Sequence, residues 1–165
     1  MRLDDGAIAV RPFTKEDIPA IAAACGDPEI ARWTLVPEPY TVDDARAFVA
    51  EAETAYAIVD AAADALVGAI SLDRVGEGNG QIGYWVAREA RGRGAATRAL
   101  RLVARWGLAH GGFARVQLLT EPENVASQRV AERAGFTNEG LLRSYAEMKG
   151  RRRDMLMWSL LPKDL

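Results

Sequence analysis

A glycine-rich turn separates a strand-like segment from a helix-like segment near the middle of the chain. Residues 81–87 read QIGYWVA, residues 91–97 read RGRGAAT, and an amphipathic run continues to about Ala109. A helix N-terminus exposes unpaired backbone N–H groups and a partial positive charge. Glycine lets an anion approach that backbone without meeting a Cβ atom. We therefore predict a strand–loop–helix unit that binds phosphate, with a plain connecting turn as the alternative.

Hydrophobic periodicity and turn residues predict a mixed α and β fold around this unit. The expected strands are 7–12, 55–60, 65–73, 81–87, 115–120 and a final hairpin of 136–146 and 153–160 around KGRR. Helices are expected to begin near Thr14, at 28–33 and at Thr41, and to cover the run that ends near Ala109 and residues 125–134. The order β-α-α-α-β-β-β-α-β-α-β-β is typical of a mixed sheet with helices on both faces.

Length and composition limit the class of protein. A chain of 165 residues, 49% hydrophobic and 27% charged, is expected to form one domain over residues 1–165. One cysteine excludes an internal disulfide, and one histidine, His110, argues against a zinc cluster, so no metal is expected. No apolar run reaches the length of a membrane span, and MRLDDGAIAV lacks the apolar core of a secretory signal. We expect a cytoplasmic protein that binds no membrane.

The charges are unevenly distributed along the chain. Residues 1–80 carry 6 Lys and Arg against 15 Asp and Glu, whereas residues 81–165 carry 15 against 8. Either the surface charge is simply uneven, or the two halves face a cationic and an anionic partner. The RRR run at 151–153 is followed by Asp154 at an expected hairpin tip, and the sequence pI is about 5.5. We therefore expect no nucleic-acid partner.

Two common phosphate-binding motifs fail at RGRGAAT. A P-loop needs Gly-Lys-Ser/Thr, and no lysine occurs between Lys15 and Lys149. A dinucleotide fingerprint needs glycine or alanine where Thr97 stands, and an acidic residue about 20 positions on, where the chain reads HGGFARV.

A third pattern fits both the loop and a segment farther along the chain. Arg91, Gly94 and Ala96 satisfy Q/R-x-x-G-x-G/A, and NVASQRVAERAGF at 124–136 satisfies N-x-x-S-x-x-V-x-E-x-x-G-F. These motifs resemble those of the GNAT acetyltransferase superfamily, in the branch that includes ribosomal-protein N-terminal acetyltransferases. VRPFTKEDIPAI, IGYWV and GRRRDMLMWSLL are also similar to that branch, so the resemblance covers nearly the whole chain. It implies an α+β fold with a mostly antiparallel sheet of six to seven strands and helices on both faces.

The resemblance also implies acetyl-CoA as co-substrate and a set of residues that bind it. The backbone from Arg91 to Ala96 is expected to hold the phosphates, and backbone N–H groups near the end of the preceding strand the acetyl carbonyl. Asn124 is expected to contact the pantetheine arm, besides its suitability as a helix N-cap. The full expected set is Trp85, Val86, Arg91, Gly92, Arg93, Gly94, Ala95, Ala96, Asn124 and Ser127.

The candidate catalytic residues are less well defined. Ser127 is the first choice for protonating the departing thiolate, and Tyr145 is the second. Gln81 stands where related sequences often have glutamate, and it cannot accept a proton, so Glu121 is the substitute candidate for the base. Trp33 and Tyr40 are expected to line an acceptor pocket.

The sequence leaves the acceptor open. The preferred function is acetylation of a protein N-terminal α-amine, with a small-molecule amine such as an antibiotic or polyamine as the alternative. A non-catalytic module that binds acetyl-CoA is a further alternative, because Gln81 replaces the expected glutamate. The chain is expected to be a monomer or a homodimer.

Overall fold

The computed structural model describes residues 1–165, which form one eight-stranded sheet and five α-helices. The strands are β1 (Leu3–Asp4), β2 (Ile8–Arg11), β3 (Ala55–Asp60), β4 (Leu66–Val75), β5 (Asn79–Val86), β6 (Arg115–Thr120), β7 (Thr137–Met148) and β8 (Arg151–Leu160). The helices are α1 (Ile18–Cys25), α2 (Pro28–Trp33), α3 (Val42–Glu51), α4 (Ala95–Ala109) and α5 (Val125–Ala134).

The sheet has the strand order β1-β2-β3-β4-β5-β6-β8-β7 and is mostly antiparallel, which confirms the expected fold class. Only β5 and β6 pair in parallel, with α4 as the crossover between them. The sheet has eight strands, one more than the upper end of the expected six to seven. The extra strand is β1, whose two residues pair with Ala9 and Val10. Two residues are too short to show a period, so only the pairing defines this strand.

The final hairpin is longer than predicted. Its turn consists of Lys149 and Gly150, both with positive φ, so β7 extends to Met148 and β8 begins at Arg151. Two residues with positive φ form the tight turn that matches the twist of paired strands. Lysine is an uncommon residue for that conformation, which is why KGRR was interpreted as a four-residue turn.

Side chains alternate between the two faces of the sheet, and different helices pack on each face. Ile8, Ile58, Ile82 and Leu118 pack in one large cluster with residues of α4 and α5. On the other face, Ile21 of α1 belongs to a smaller cluster with residues of α3. This period of two confirms helices on both faces.

The helix boundaries follow the capping signals in the sequence. Thr41 and Asp44 form a capping box at the start of α3, and Gly135 ends α5 in the left-handed conformation, as expected. Thr14 begins helical structure too, but its first turn, Lys15–Asp17, is a 3₁₀ helix, and α1 starts at Ile18. The side chain of Asp17 accepts a hydrogen bond from the N–H of Thr14 at 2.8 Å.

Asp17 also belongs to a buried ion pair. Arg11 at the end of β2 donates two hydrogen bonds to its carboxylate, at 2.8 and 3.0 Å, and a third to Asp64. Both Arg11 and Asp17 are more than nine-tenths buried. Burial raises the pKa of Asp17, but the Arg11 guanidinium and the Thr14 N–H together lower it more, so the pKa lies below its ordinary value. The pair therefore joins β2 to the turn that precedes α1.

We predict that Asp17→Asn lowers the free energy of unfolding by about 3–5 kcal/mol, because it leaves the buried Arg11 charge with only the exposed Asp64 as partner. Asp43→Asn removes an exposed ion pair with Arg46 and should cost less than about 1 kcal/mol. A depressed carboxylate pKa stabilises the fold above the unfolded pKa of about 3.9 and loses that effect as the pH falls through the folded pKa. Urea unfolding measures the free energy of unfolding of wild type and of Asp17→Asn. The difference between the two should be constant above about pH 5 and should shrink in more acidic buffer. A constant difference down to pH 2.5 would contradict this assignment.

Candidate active site

The two parallel strands at the centre of the sheet separate after a short paired stretch. β5 and β6 are paired only at Asn79–Arg115, Gly80–Val116 and Gln81–Gln117. Beyond this point β5 remains paired with β4 to Val86, and β6 with β8 to Thr120. An opening therefore lies between the ends of β5 and β6.

Backbone groups of β5 face this opening at alternate residues. The N–H of Ala87 donates to the carbonyl oxygen of Val67 in β4 at 2.9 Å. Hydrogen-bonded pairs alternate along an antiparallel ladder, so Trp85, two residues earlier, is hydrogen-bonded to Ala69 of β4. The N–H and C=O groups of Tyr84 and Val86 therefore point away from β4, toward β6. Trp85, which was expected to supply a free donor, does not, because its N–H faces β4. Its side chain packs with the α1–α3 cluster, whereas Val86 stays a candidate donor.

The loop after β5 presents six consecutive backbone N–H groups without an acceptor in the chain, from Gly92 to Thr97. Gly92 and Gly94 have φ of +76° and +81°, which glycine adopts without strain. A Cβ atom at either position would meet no other atom within 4 Å. Gly94 is the N-cap residue of α4 and supplies no side-chain cap, so the positive end of a 15-residue helix adds to the same site. This segment fits a phosphate group, one residue farther along than Arg91 to Ala96.

Arg91 is used within the chain. Its N–H donates to Arg88, its Nε donates to the carbonyl oxygen of Val86 at 3.1 Å, and its guanidinium pairs with Asp27 at 2.7 Å. These contacts give Arg91 a positioning role, and the expected phosphate contact of its side chain stays a prediction. Arg91 fixes the end of β5 against the start of α2.

Asn124, Ser127 and Tyr84 meet on the face covered by α4 and α5. Asn124 Oδ1 caps α5 by accepting from the Ser127 N–H at 3.1 Å. The Ser127 hydroxyl lies 2.7 Å from the Tyr84 hydroxyl. Burial raises the pKa of Tyr84 to about 12, and the hydrogen bond with Ser127 offsets only part of this rise. The phenol therefore stays protonated near neutral pH.

Tyr84 was missed in the sequence analysis, although it lies within IGYWV. The signal was the period of β5, which puts Tyr84 on the same face as the buried Ile82 and hence beneath α5. Tyr145, the second candidate acid, lies in an irregular part of β7 between Leu142 and Ala146. It is 48% exposed, and its phenol makes no hydrogen bond within the chain. Nothing joins it to Ser127, so its catalytic role stays a prediction without support from the contacts.

The opposite face of the opening carries a charged cleft of about 370 Å³. Its lining includes Trp33 at the end of α2, Glu121 directly after β6, and Arg153 of β8. The Trp33 indole N–H donates to Glu29, and the Arg32 guanidinium stacks 4.4 Å from the ring centre. Glu121 pairs with Arg153 at 2.8 Å.

The remaining expected residues do not meet in this cleft. Tyr40 packs against Ile21, Cys25 and Ala45, and burial raises the pKa of its phenol well above the ordinary value. Gln81 accepts a hydrogen bond from Gln117 at the point where β5 and β6 separate. His110 caps the far end of α4. Tyr40 is therefore a packing residue rather than a residue of the cleft.

These features define the class of protein. An opening between two central strands joins a helix N-terminus with free N–H groups on one face to a charged cleft on the other. This arrangement suits a transferase whose donor carries phosphate and whose acceptor enters from the opposite face. The chain belongs to the acetyltransferase (GNAT) domain family, which matches residues 8–137. It is an acyl-CoA-dependent N-acetyltransferase.

Known proteins resemble the chain over nearly its full length. N-acetyltransferase p20 of Bacillus licheniformis, described as uncharacterized, is 27% identical over 95% of this chain and 94% of its own. RimL, described as a ribosomal L7/L12 α-N-protein acetyltransferase, was solved with coenzyme A. It has a TM-score of 0.83 at 18% identity, covering 98% of each chain. MccE, a microcin C7 self-immunity acetyltransferase solved with acetyl-CoA and AMP, has a TM-score of 0.85 at 19% identity, covering 95% of this chain and 93% of its own.

The structure offers neither a metal-binding cluster nor a membrane-spanning helix. No group of three or more His, Cys, Asp or Glu side chains is arranged to hold a metal ion. None of the helices has the length and apolar character that a membrane crossing requires.

We predict that Gly94→Glu weakens the binding of coenzyme A by about tenfold or more, because it puts a carboxylate among N–H groups that attract phosphate. Gly112→Glu is the matched control, since Gly112 has φ of +72°, equally open surroundings and a position beyond the other end of α4. Both variants carry the same kind of backbone strain, about 1–2 kcal/mol. Calorimetry should give a dissociation constant within about twofold of wild type for the control. Equal affinities for both variants would remove the phosphate site from this loop.

Proposed function

We propose that the chain transfers an acetyl group from acetyl-CoA to the N-terminal α-amine of a protein or peptide. The donor supplies a thioester carbonyl and a thiolate leaving group. Gly92 to Thr97 bind the phosphates through six N–H groups, and the N–H groups of Tyr84 and Val86 are available to the acetyl oxygen as it gains negative charge. The acceptor enters by the cleft on the opposite face.

The observation that carries this proposal is the state of the candidate bases. Glu121 is held by Arg153, Gln81 is an amide, and His110 belongs to the far end of α4. None of these side chains is suited to deprotonate a strongly basic amine. The acceptor must therefore supply a substantial neutral fraction by itself.

An α-amine meets this requirement and a side-chain amine does not. With pKa values of about 7.8 and 10.4, the two are about one-third and about 0.1% neutral at pH 7.5. The difference is a factor of several hundred in the concentration of reactive amine. It favours an N-terminus over lysine-like or polyamine acceptors, in accord with the description of RimL.

The hydroxyl pair of Ser127 and Tyr84 is the best candidate for the proton donor. A thiolate with a pKa near 8.5 departs without much help, so assistance is expected to be moderate. Ser127 can pass its proton to sulfur as the Tyr84 phenol, kept protonated by its raised pKa, passes one to Ser127. The acetylated amine loses one proton in the same turnover, and solvent returns an equivalent proton to the phenol. Asn124 fixes the first turn of α5 that carries Ser127.

A small-molecule amine is the second candidate acceptor. The cleft is lined almost entirely by charged side chains, which suits a compact polar molecule. MccE, which resembles this chain in fold, is described as a self-immunity enzyme and binds AMP. The two candidates differ in the acceptor alone and share the donor site.

We predict that peptides with a free α-amine are acetylated with a kcat/KM at least about 100-fold above that of spermidine or N-α-blocked lysine peptides, because their amines are more often neutral. Release of free thiol from acetyl-CoA measures the rate for each acceptor. An aminoglycoside series tests the second candidate in the same assay. N-α-blocked peptides without lysine are the control for acceptor-independent hydrolysis. Turnover of aminoglycosides or spermidine with none of the peptides would overturn the proposal.

We predict that Ser127→Ala and Tyr84→Phe each lower kcat by about 10- to 10³-fold, because either change interrupts the hydroxyl pair. The KM for acetyl-CoA should change little, since neither hydroxyl is needed to bind the phosphates. Tyr145→Phe compares the candidate named from the sequence in the same kinetic series. Full kcat in both pair variants together with a loss in Tyr145→Phe would replace the pair by Tyr145. Full kcat in all three from pH 7 to 9 would mean that solvent protonates the thiolate.

A further inference from the structure

The ion pair of Glu121 and Arg153 is incompletely satisfied. A single contact joins Glu121 Oε2 to Arg153 Nη1 at 2.8 Å. Glu121 Oε1 and Arg153 Nε are both buried and have no hydrogen-bond partner. A carboxylate and a guanidinium commonly form two parallel hydrogen bonds. Here the acceptor Glu121 Oε1 and the donor Arg153 Nε remain without a hydrogen bond, and both residues line the same cleft.

Such a pair of groups is costly in the free protein. Both atoms are buried from solvent, and a buried polar atom without a hydrogen-bond partner destabilises a fold even when its group is paired through another atom. A ligand that supplies one N–H and one C=O would satisfy both atoms. The side chain of Glu121 is only 8% exposed, whereas that of Arg153 is 26% exposed. Arg153 is therefore the more accessible member of the pair, and a small shift of its side chain that keeps the contact to Glu121 Oε2 would open both atoms to the cleft.

An extended peptide supplies these groups on one edge. In an extended chain the N–H and C=O of the same residue point to the same side, as they do in an antiparallel sheet. The cleft is also balanced in charge, because Arg32, Arg152 and Arg153 face Glu121, Glu123 and Asp154. A balanced lining suits a neutral main chain better than a polycation or a polyanion.

We propose that Glu121 and Arg153 bind the main chain of the acceptor's second residue, with its N–H donating to Glu121 Oε1 and its C=O accepting from Arg153 Nε. This inference rests on the proposed acetylation of a protein N-terminus. The α-amine then belongs to the first residue, and Glu121 acts as a specificity-determining residue rather than as the base. Recognition through the main chain leaves the side chain of the second residue free to vary.

The test compares two acceptors that differ at the first peptide bond. One is a peptide, and the other has an ester oxygen in place of the N–H of the second residue. The wild-type enzyme should prefer the amide by about 10- to 100-fold in kcat/KM, since a hydrogen bond to a charged group is lost in the ester. Both acceptors are measured at pH 9, where each amine is mostly neutral.

The double variant Glu121→Leu with Arg153→Met removes both polar groups together and leaves neither one buried alone, which keeps the fold stable. In this variant the preference for the amide should fall to about twofold or less. The preference that remains measures any intrinsic difference in reactivity between the two acceptors. Arg115→Met with Glu139→Leu is the control, because it removes an ion pair of the same sheet outside the cleft. The control should keep the wild-type preference, and thermal unfolding monitors the fold of each variant.

The outcomes separate this inference from the proposed function. Equal rates for amide and ester with the wild-type enzyme, in the presence of normal peptide turnover, overturn the inference and leave the function intact. A preference that persists in the Glu121→Leu, Arg153→Met variant also overturns it. Acetylation of small amines with no peptide turnover overturns the proposed function, and the inference fails with it.

Discussion

The separation of β5 from β6 after three paired residues is the constraint on which the remaining site depends. A parallel pair continued to Val86 would use the N–H groups that now face the opening. Other contacts hold the end of each of the two strands in place. Arg91 binds the carbonyl oxygen of Val86 and pairs with Asp27, whereas the Trp158 indole donates to Thr120 at 2.9 Å and ties the end of β6 to β8. The gap is thus part of the hydrogen-bonded fold.

Unsatisfied polar groups lie on both sides of this gap. On the α4 side they are the six N–H groups from Gly92 to Thr97, and on the cleft side they are Glu121 Oε1 and Arg153 Nε. The N–H groups of the exposed loop can bond to water until an anion replaces it, whereas the two buried atoms lack any partner and reduce stability until a ligand supplies one. Phosphate would match the N–H groups, and we have proposed a peptide main chain for the second set. On this proposal two different substrates approach from opposite faces.

Local signals in the sequence were sufficient for most of the fold. Thr41 with Asp44 and Gly135 are caps whose chemistry acts within four residues, so the helix boundaries could be predicted. The two sheet faces followed from alternation. The strand β1 could not be predicted, because its two residues are defined only by pairing with β2.

The site was harder to predict, because its contacts join distant parts of the chain. Tyr84 and Ser127 are 43 positions apart, and Glu121 and Arg153 are 32 apart. The loop itself was found from RGRGAAT, but the role of Arg91 depended on Asp27, which no local pattern connects to it. The orientation of Trp85 required the register of β4 against β5. A period of two predicts which face a side chain occupies, but the hydrogen-bonding side of each residue depends on the register.

The uneven charge of the two halves is partly used inside the fold. Asp5, Asp27 and Glu38 of the acidic half pair with Arg98, Arg91 and Lys149 of the basic half, at 2.8, 2.7 and 3.9 Å. These pairs fasten the first helices and strands to α4 and to the final hairpin. Their charges are not free to attract a cationic acceptor, which weakens the interpretation of the acidic half as an acceptor surface. The cleft itself has as many acidic as basic side chains. This balance agrees with the proposal that the acceptor is selected by hydrogen-bond geometry and by the neutral fraction of its amine rather than by net charge.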